Sequence, residues 1–128
     1  MHSKQLTFAR FVPGIAWFII VLILICLPGK ELPGKSWLDE LYVDKWVHVI
    51  MFAGIFIGFA WPYRGLSISP SVKKSYYIRL MLATIIWGLA TEFIQKFFIS
   101  GRSFDLFDWL ADSAGAVGAY WGIGHRKW

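Results

Sequence analysis

The stretch TEFIQKFFISGRSFDLFDWLAD, residues 91–112, combines large apolar side chains with charged ones. The charged residues are Glu92, Arg102, Asp105, Asp108 and Asp112, with Lys96 beside them. Charged side chains at membrane depth are costly, and they usually face the interior of a helical bundle and mark function. Carboxylates beside an arginine could act as general acid and base or bind a polar ligand.

Helical spacing places the polar residues of three segments on single faces, because positions three and four apart are neighbours on a helix. At 1.5 Å per residue, Glu92 and Asp112 lie about 10 Å inside the outer ends of their helices, and His48 about 6 Å inside. The three groups therefore reach similar depths and form one predicted site. They are Asp44 with His48, Glu92 with Gln95, and Asp105 with Asp108 and Asp112.

Arg102 lies in the SGRS turn, from which it could reach these groups. Buried charges need pairing, so Arg102 is predicted to pair with Glu92 or Asp108. Alternatively, its guanidinium could hold a phosphate or carboxylate through two hydrogen bonds. Lys45 is predicted to be interfacial. The complete predicted ligand-binding set is Asp44, Lys45, His48, Glu92, Gln95, Arg102, Ser103, Asp108 and Asp112.

Catalysis by this site is an open alternative. His48 could transfer protons near neutral pH, and Glu92 and Asp108 could serve as general acid and base. A hydrogen-bonded network that only stabilises the bundle would use the same residues. A metal site at these three residues is disfavoured by the single histidine and the competing Arg102, so no metal or cofactor is expected.

The composition indicates an integral membrane protein. The 128 residues are 57% hydrophobic and only 16% charged. The apolar residues form blocks whose lengths are close to the roughly 20 residues that a helix needs to cross a bilayer. We predict one all-α domain over residues 1–128, a four-helix transmembrane bundle. Its helices are expected at about 8–27, 45–62, 78–99 and 105–124.

The loops carry weaker signals. Ser36 with Asp39 resembles a helix-start capping box and predicts a short interfacial helix in the first external loop. The segment YRGLSISPSVKKSYY, residues 63–77, is predicted to be a cytoplasmic connector. Glycines spaced by four, Gly54 with Gly58 and Gly118 with Gly122, together with Gly115, predict close helix crossings. These crossings are expected within the bundle, and a homodimer is left open.

Basic residues predict the orientation. With four spans, both termini and the middle loop share one side, which holds eight Lys and Arg residues against five on the other. Because cytoplasmic loops collect Lys and Arg, both termini are expected inside. The net charge of +5 is then explained by topology and not by nucleic-acid binding. No G-x-S-x-G, P-loop, H-E-x-x-H or G-x-G-x-x-G arrangement occurs.

Three motifs resemble the VanZ-like family of bacterial multi-pass membrane proteins in their order and spacing: DKWVH (44–48), TEFIQ (91–95) and GRSFDLFDWLADSAGAVG (101–118). The resemblance covers the second to fourth predicted helices, about the last two thirds of the chain. It implies a role in the bacterial cell envelope at the inner membrane. The type member is linked to low-level resistance to the glycopeptide teicoplanin, and the resemblance supplies no reaction. The family often carries asparagine at the position of Asp112.

Three functional hypotheses follow. The first is a pocket at the outer leaflet that binds a lipid headgroup or a lipid-linked cell-wall intermediate, through which glycopeptide tolerance could arise. The second is an intramembrane hydrolase or transferase acting on a lipid phosphate or glycolipid, with catalytic candidates His48, Glu92 and Asp108. The third is a structural accessory membrane subunit.

Overall fold

The computed structural model describes residues 5–27 and 43–124, which are mainly α-helical and contain no strand. The four principal helices are α1 (Val12–Ile25), α2 (Val43–Ala60), α3 (Pro70–Phe98) and α4 (Leu106–Ala119). Single turns of 3-10 helix, Phe8–Phe11 and Trp61–Tyr63, flank α1 and α2, and a π-helical turn, Tyr120–Gly124, extends α4. The all-helical prediction is confirmed.

Three of these helical segments are long and apolar enough to cross a membrane: Phe8–Ile25, Asp44–Tyr63 and Pro70–Phe98. They correspond to the first three predicted spans. The fourth predicted span corresponds to α4, which has 14 residues before its π-helical turn. The predicted interfacial helix at Ser36 lies outside the described residues.

The prediction that residues 63–77 form a connector is wrong in its second half, because α3 begins at Pro70. Ser69 is the N-cap, and its Oγ accepts a hydrogen bond from the Val72 backbone N–H at 3.2 Å. Proline suits the first helical position, since its fixed φ fits the helix and the N–H it lacks has no partner there. The Ser69-Pro70 dipeptide is therefore a helix-start signal, although the basic, polar composition of residues 63–77 favours a loop.

α2 lies against all three other helices, and its largest interface is with α4. The helix crossings depend on glycines, whose lack of a side chain lets two helices approach closely. A Cβ at Gly14 of α1 would lie 2.7 Å from the Gly58 carbonyl of α2, and a Cβ at Gly115 of α4 would collide with the Val49 carbonyl oxygen. Gly54 is covered by the Trp17 indole. The predicted close crossings are confirmed at Gly54, Gly58 and Gly115.

Gly118 and Gly122 contradict the same prediction. A Cβ at either position would meet nothing within 4 Å. Glycine spacing marks a face on which close approach is allowed, but the rotation of α4 turns Gly115, and not Gly118, toward α2. Both later glycines therefore lie outside the helix crossing.

The interior between the helices is apolar over most of its length. One cluster of buried residues joins α1 and α2, and it consists of Val21, Ile25, Met51, Phe52 and Ile55. Many large apolar side chains point outward instead; Phe8, Phe98 and Trp121 are each about three-quarters exposed or more. An outer surface of this kind is expected where a helical protein contacts lipid.

Candidate functional site: a polar cluster between three helices

A polar cluster lies where the start of α2, the end of α3 and the start of α4 meet. Its members are Asp44, Lys45, His48, Glu92, Asp105, Asp108 and Asp112. Asp44 and Lys45 are in the first turn of α2, Glu92 is near the end of α3, and Asp105 is the N-cap of α4. The chain reverses direction between α3 and α4, which brings these ends together. Three helices therefore contribute polar groups to one region of the protein.

Lys45 is the central cation. Its Nζ lies 2.6 Å from Asp108 Oδ1, 2.7 Å from Asp44 Oδ2 and 3.0 Å from Asp105 Oδ2. An ammonium group has three donors, and here each one reaches a different carboxylate. Lys45 therefore joins α2 to α4 and lies beside the predicted site residues Asp44 and Asp108.

Among the described residues, Arg102 forms no ion pair with Glu92 or Asp108, so the prediction that it pairs with one of them is wrong. Its Nε donates a hydrogen bond of 3.1 Å to the Leu27 carbonyl oxygen, and Gln95 Nε2 donates one of 3.2 Å to the Ile25 carbonyl oxygen. The last carbonyls of a helix have no partner within it, and α1 ends at Ile25. Gln95 and Arg102 thus cap the end of α1 and secure it to α3.

The sequence contains a local signal that groups Lys45 with the polar residues of α2. Lys45 and His48 are three residues apart, so they share a face of α2. The position of Arg102 in the SGRS turn predicts that its side chain reaches the carboxylates. Its side chain leaves the turn in another direction, toward the end of α1. Ser103, another predicted site residue, is exposed in the same turn.

His48 lies one turn deeper than Lys45 and faces α4. Its Nδ1 lies 2.6 Å from Asp112 Oδ1, and its Nε2 lies 3.6 Å from Asp108 Oδ2. Gly88 of α3 makes room for this contact, because a Cβ there would come within 3.0 Å of the Asp112 Cβ. The imidazole is therefore held between two carboxylates, one in hydrogen-bond contact and one beyond it.

Glu92 and Asp112 are completely buried, with relative exposures of 0%. Glu92 Oε2 accepts a hydrogen bond of 3.1 Å from the Asp105 backbone N–H. The second carboxyl oxygen of each residue, Glu92 Oε1 and Asp112 Oδ2, has no hydrogen-bond partner among the described residues. Buried polar atoms without partners are rare and costly, so these two atoms indicate an environment that favours a further ligand or a proton.

Asp105 links the cluster to the start of α4. Its Oδ1 accepts hydrogen bonds from the backbone N–H groups of Phe107 at 2.9 Å and Asp108 at 3.4 Å, as an N-cap does. Partial burial alone would raise the pKa of its carboxyl, but the hydrogen bond and charge of Lys45, with these backbone donors, hold that pKa below its ordinary value. Asp105 is therefore ionised at neutral pH.

Exposure decreases from the rim of the cluster inward. The side chain of Asp44 is 56% exposed and that of Asp105 39%, whereas Asp108 is 13% and Asp112 0% exposed. A polar group approaching from the end of the helices would meet the outer carboxylates first and His48 later. The arrangement can accept hydrogen bonds, bind a cation or move a proton inward.

An apolar groove lies elsewhere, between α1, α2 and α3. It has a volume of about 340 Å³, and it is lined by Phe18, Ile55, Phe59, Leu80, Ala83, Thr84 and Trp87. None of these residues belongs to the polar cluster. The groove and the cluster are separate features.

The chain matches no protein-family model, no curated protein and no solved structure. Its resemblance to the VanZ-like family remains a prediction from the motifs.

Proposed function

We propose that this chain is a VanZ-like integral membrane protein of the bacterial inner membrane. In this proposal, α1, α2 and α3 cross the bilayer, and α4 with its π-helical turn forms a fourth, shorter span. The apolar surface of the helices supports this placement. Both termini are cytoplasmic, so the polar cluster faces the outer leaflet.

The polar cluster binds a lipid headgroup or a lipid-linked cell-envelope intermediate. The observation that carries this proposal is the convergence of Lys45, His48, Glu92 and Asp108 from three helices. Carboxylates outnumber cations in the cluster, so the part of the ligand that enters should carry hydrogen-bond donors, such as sugar hydroxyls or an amine. A phosphate would be repelled by these acids and would stay near Arg102 in the adjacent turn. Binding of a cell-wall precursor would account for a glycopeptide-tolerance phenotype.

Lipid copurification tests this proposal. The protein is purified in mild detergent, and bound lipids are identified by mass spectrometry for wild type, Asp108→Asn and the control Lys96→Gln. Lys96 lies in the last turn of α3 and is exposed, so its variant should retain lipid as wild type does. Asp108→Asn keeps the side-chain shape and should lower retention of one headgroup class while the protein stays folded. Equal lipid profiles in all three proteins would contradict headgroup binding at this cluster.

One observation favours the second hypothesis, an intramembrane hydrolase or transferase. The contact of 2.6 Å between His48 Nδ1 and Asp112 Oδ1 resembles the pairing in which a carboxylate orients a histidine base. His48 Nε2 would then take a proton from water or a hydroxyl, and Glu92 or Asp108 would act as the acid. Product formed from a phospholipid or glycolipid by wild type, and lost in His48→Gln with binding retained, would favour this alternative. A purely structural subunit would show neither binding nor turnover.

A further inference from the structure

We infer that His48, Glu92 and Asp108 form a binding site for a divalent transition-metal cation, with Zn²⁺ the best match. One imidazole and two carboxylates are a donor set that borderline cations accept. This inference does not depend on lipid binding, because the metal is held by side chains of the protein alone.

The three donors are already close. One ligand atom from each of His48, Glu92 and Asp108 lies within 4.8 Å of the other two. His48 Nε2 and Asp108 Oδ2 are 3.6 Å apart, and two ligands of a tetrahedral ion with bonds of about 2.0–2.1 Å are separated by roughly 3.4 Å. The third donor, the Glu92 carboxylate, lies within the same 4.8 Å limit.

His48 is oriented as a metal ligand. A histidine that binds metal through one ring nitrogen usually donates the other N–H to a carboxylate or a carbonyl. Here Asp112 Oδ1 takes that place at 2.6 Å from Nδ1. With the proton on Nδ1, the lone pair of Nε2 faces Asp108. Asp112 is thus a positioning residue, and His48, Glu92 and Asp108 are the ligands.

Glu92 supplies an independent observation. It is completely buried, and its Oε1 has no hydrogen-bond partner among the described residues. If Glu92, Asp108 and Asp112 are all ionised, their charge exceeds the positive charge that Lys45 and even a protonated His48 could supply. A divalent cation would give Glu92 its missing partner and remove the excess negative charge.

The competing cations do not occupy this position. Arg102, the expected competitor, donates to the Leu27 carbonyl instead. Lys45 binds Asp108 through Oδ1, whereas the oxygen of Asp108 that faces His48 is Oδ2. One carboxylate can therefore serve the ammonium and the metal at once. Three protein ligands would leave a fourth position of a tetrahedral ion for water or another ligand.

The test is a metal measurement on the full chain in detergent, purified with a tag that contains no histidine. The protein is stripped with a chelator and titrated with Zn²⁺ alone, then separately with Mn²⁺ and with Mg²⁺. We expect about one Zn²⁺ per chain by elemental analysis, as for a single site, and a saturable rise in melting temperature. Mn²⁺ should stabilise less, and Mg²⁺ least.

Variants locate the site. Glu92→Gln and His48→Gln should lose the Zn²⁺-dependent rise, and Asp112→Asn should weaken Zn²⁺ binding by about 10–100-fold without abolishing it, as loss of an orienting carboxylate does. Lys96→Gln is the control, because Lys96 is exposed and is not one of the three donors. Melting temperatures of the stripped proteins separate loss of metal from loss of fold.

Two results would overturn the inference. The first is a stripped wild type that neither binds Zn²⁺ or Mn²⁺ stoichiometrically nor gains stability from either. The second is Zn²⁺ binding that persists unchanged in the Glu92 and His48 variants, which would place the ion elsewhere. If the ligand variants do not fold, the titration of wild type still decides. The metal experiment measures Zn²⁺ bound by side chains and the other experiment measures copurified lipid, so failure here leaves the headgroup proposal untouched, and failure of the lipid experiment leaves the metal site untouched.

Discussion

His48 of α2 and Asp112 of α4 are joined by a 2.6 Å contact between Nδ1 and Oδ1 in the interior of the protein. The contact is possible because Gly115, one turn further along α4, lets that helix approach the backbone of α2. Gly88 of α3 leaves room for Asp112 on the other side. Close helix packing and the chemistry of the cluster are therefore one feature of the structure.

Asp112→Asn should fold nearly as well as wild type, because the amide oxygen can still accept from Nδ1 of His48. Asp112→Leu removes that acceptor, so the Nδ1–H of the buried imidazole has no hydrogen-bond partner there. This should lower the free energy of unfolding by about 1–3 kcal/mol. Thermal melting in detergent at neutral pH compares the two. An asparagine variant as unstable as the leucine variant would show that the charge of Asp112, and not its hydrogen bond, is required.

Lys45→Met should destabilise the protein more than Arg102→Met. The first change leaves the carboxylate of Asp108 without its cation, at a cost of about 1.5–3 kcal/mol for a charged hydrogen bond. The second removes a hydrogen bond to the Leu27 carbonyl oxygen, at about 0.5–1.5 kcal/mol. Melting temperatures and membrane abundance measure both. The reverse order would restore Arg102 as the principal cation of the site.

Gly115→Ala and Gly118→Ala form a matched pair on α4. A methyl group at Gly115 collides with the Val49 carbonyl oxygen, and overpacking of this kind costs about 1–3 kcal/mol. The same group at Gly118 meets nothing within 4 Å, and alanine is favoured over glycine inside a helix by roughly 0.5–1 kcal/mol. We expect a lower melting temperature for the first variant and an equal or higher one for the second. A comparable loss at Gly118 would indicate a contact with a second copy of the chain or with another protein.

Asp105→Asn tests the pH dependence of the cluster. The pKa of Asp105 is lowered in the folded state, so its contribution to stability is complete above its unfolded pKa and is lost as pH falls through the folded pKa. Asparagine caps a helix about as well as aspartate, so this substitution isolates the charge that pairs with Lys45. At pH 7 wild type should melt above the variant, and the difference should shrink below about pH 4, the ordinary range of an aspartate carboxyl. A difference that does not change with pH would show that the ion pair contributes nothing.

The proposed orientation is tested with reporter fusions. A reporter that works only in the cytoplasm should be active when it is fused after Trp128. A reporter that works only outside the cytoplasm should be active when it is inserted between residues 30 and 44. The expected result follows from the excess of Lys and Arg on the terminal side. The opposite pattern would place the polar cluster at the inner leaflet and exclude a role in binding outer-leaflet lipids.

The sequence by itself determined the helices and the faces that their polar residues share. Apolar blocks of sufficient length predict α1 and α2, and the spacing of Asp105, Asp108 and Asp112 predicts a single acidic stripe on α4. These features are local, since a helix repeats every 3.6 residues whatever surrounds it. The start of α3 is also encoded locally, by Ser69 and Pro70.

Only the tertiary structure decided which polar groups meet. Spacing along one helix does not give the rotation of that helix against its neighbours, and α4 turns Gly115 toward α2 and leaves Gly118 outside. Spacing also does not give the direction of a side chain that leaves a turn. Arg102 therefore reaches the end of α1, and Lys45 becomes the cation shared by the carboxylates. Both outcomes depend on how closely whole helices can pack, which is a property of the assembled protein and not of any one segment.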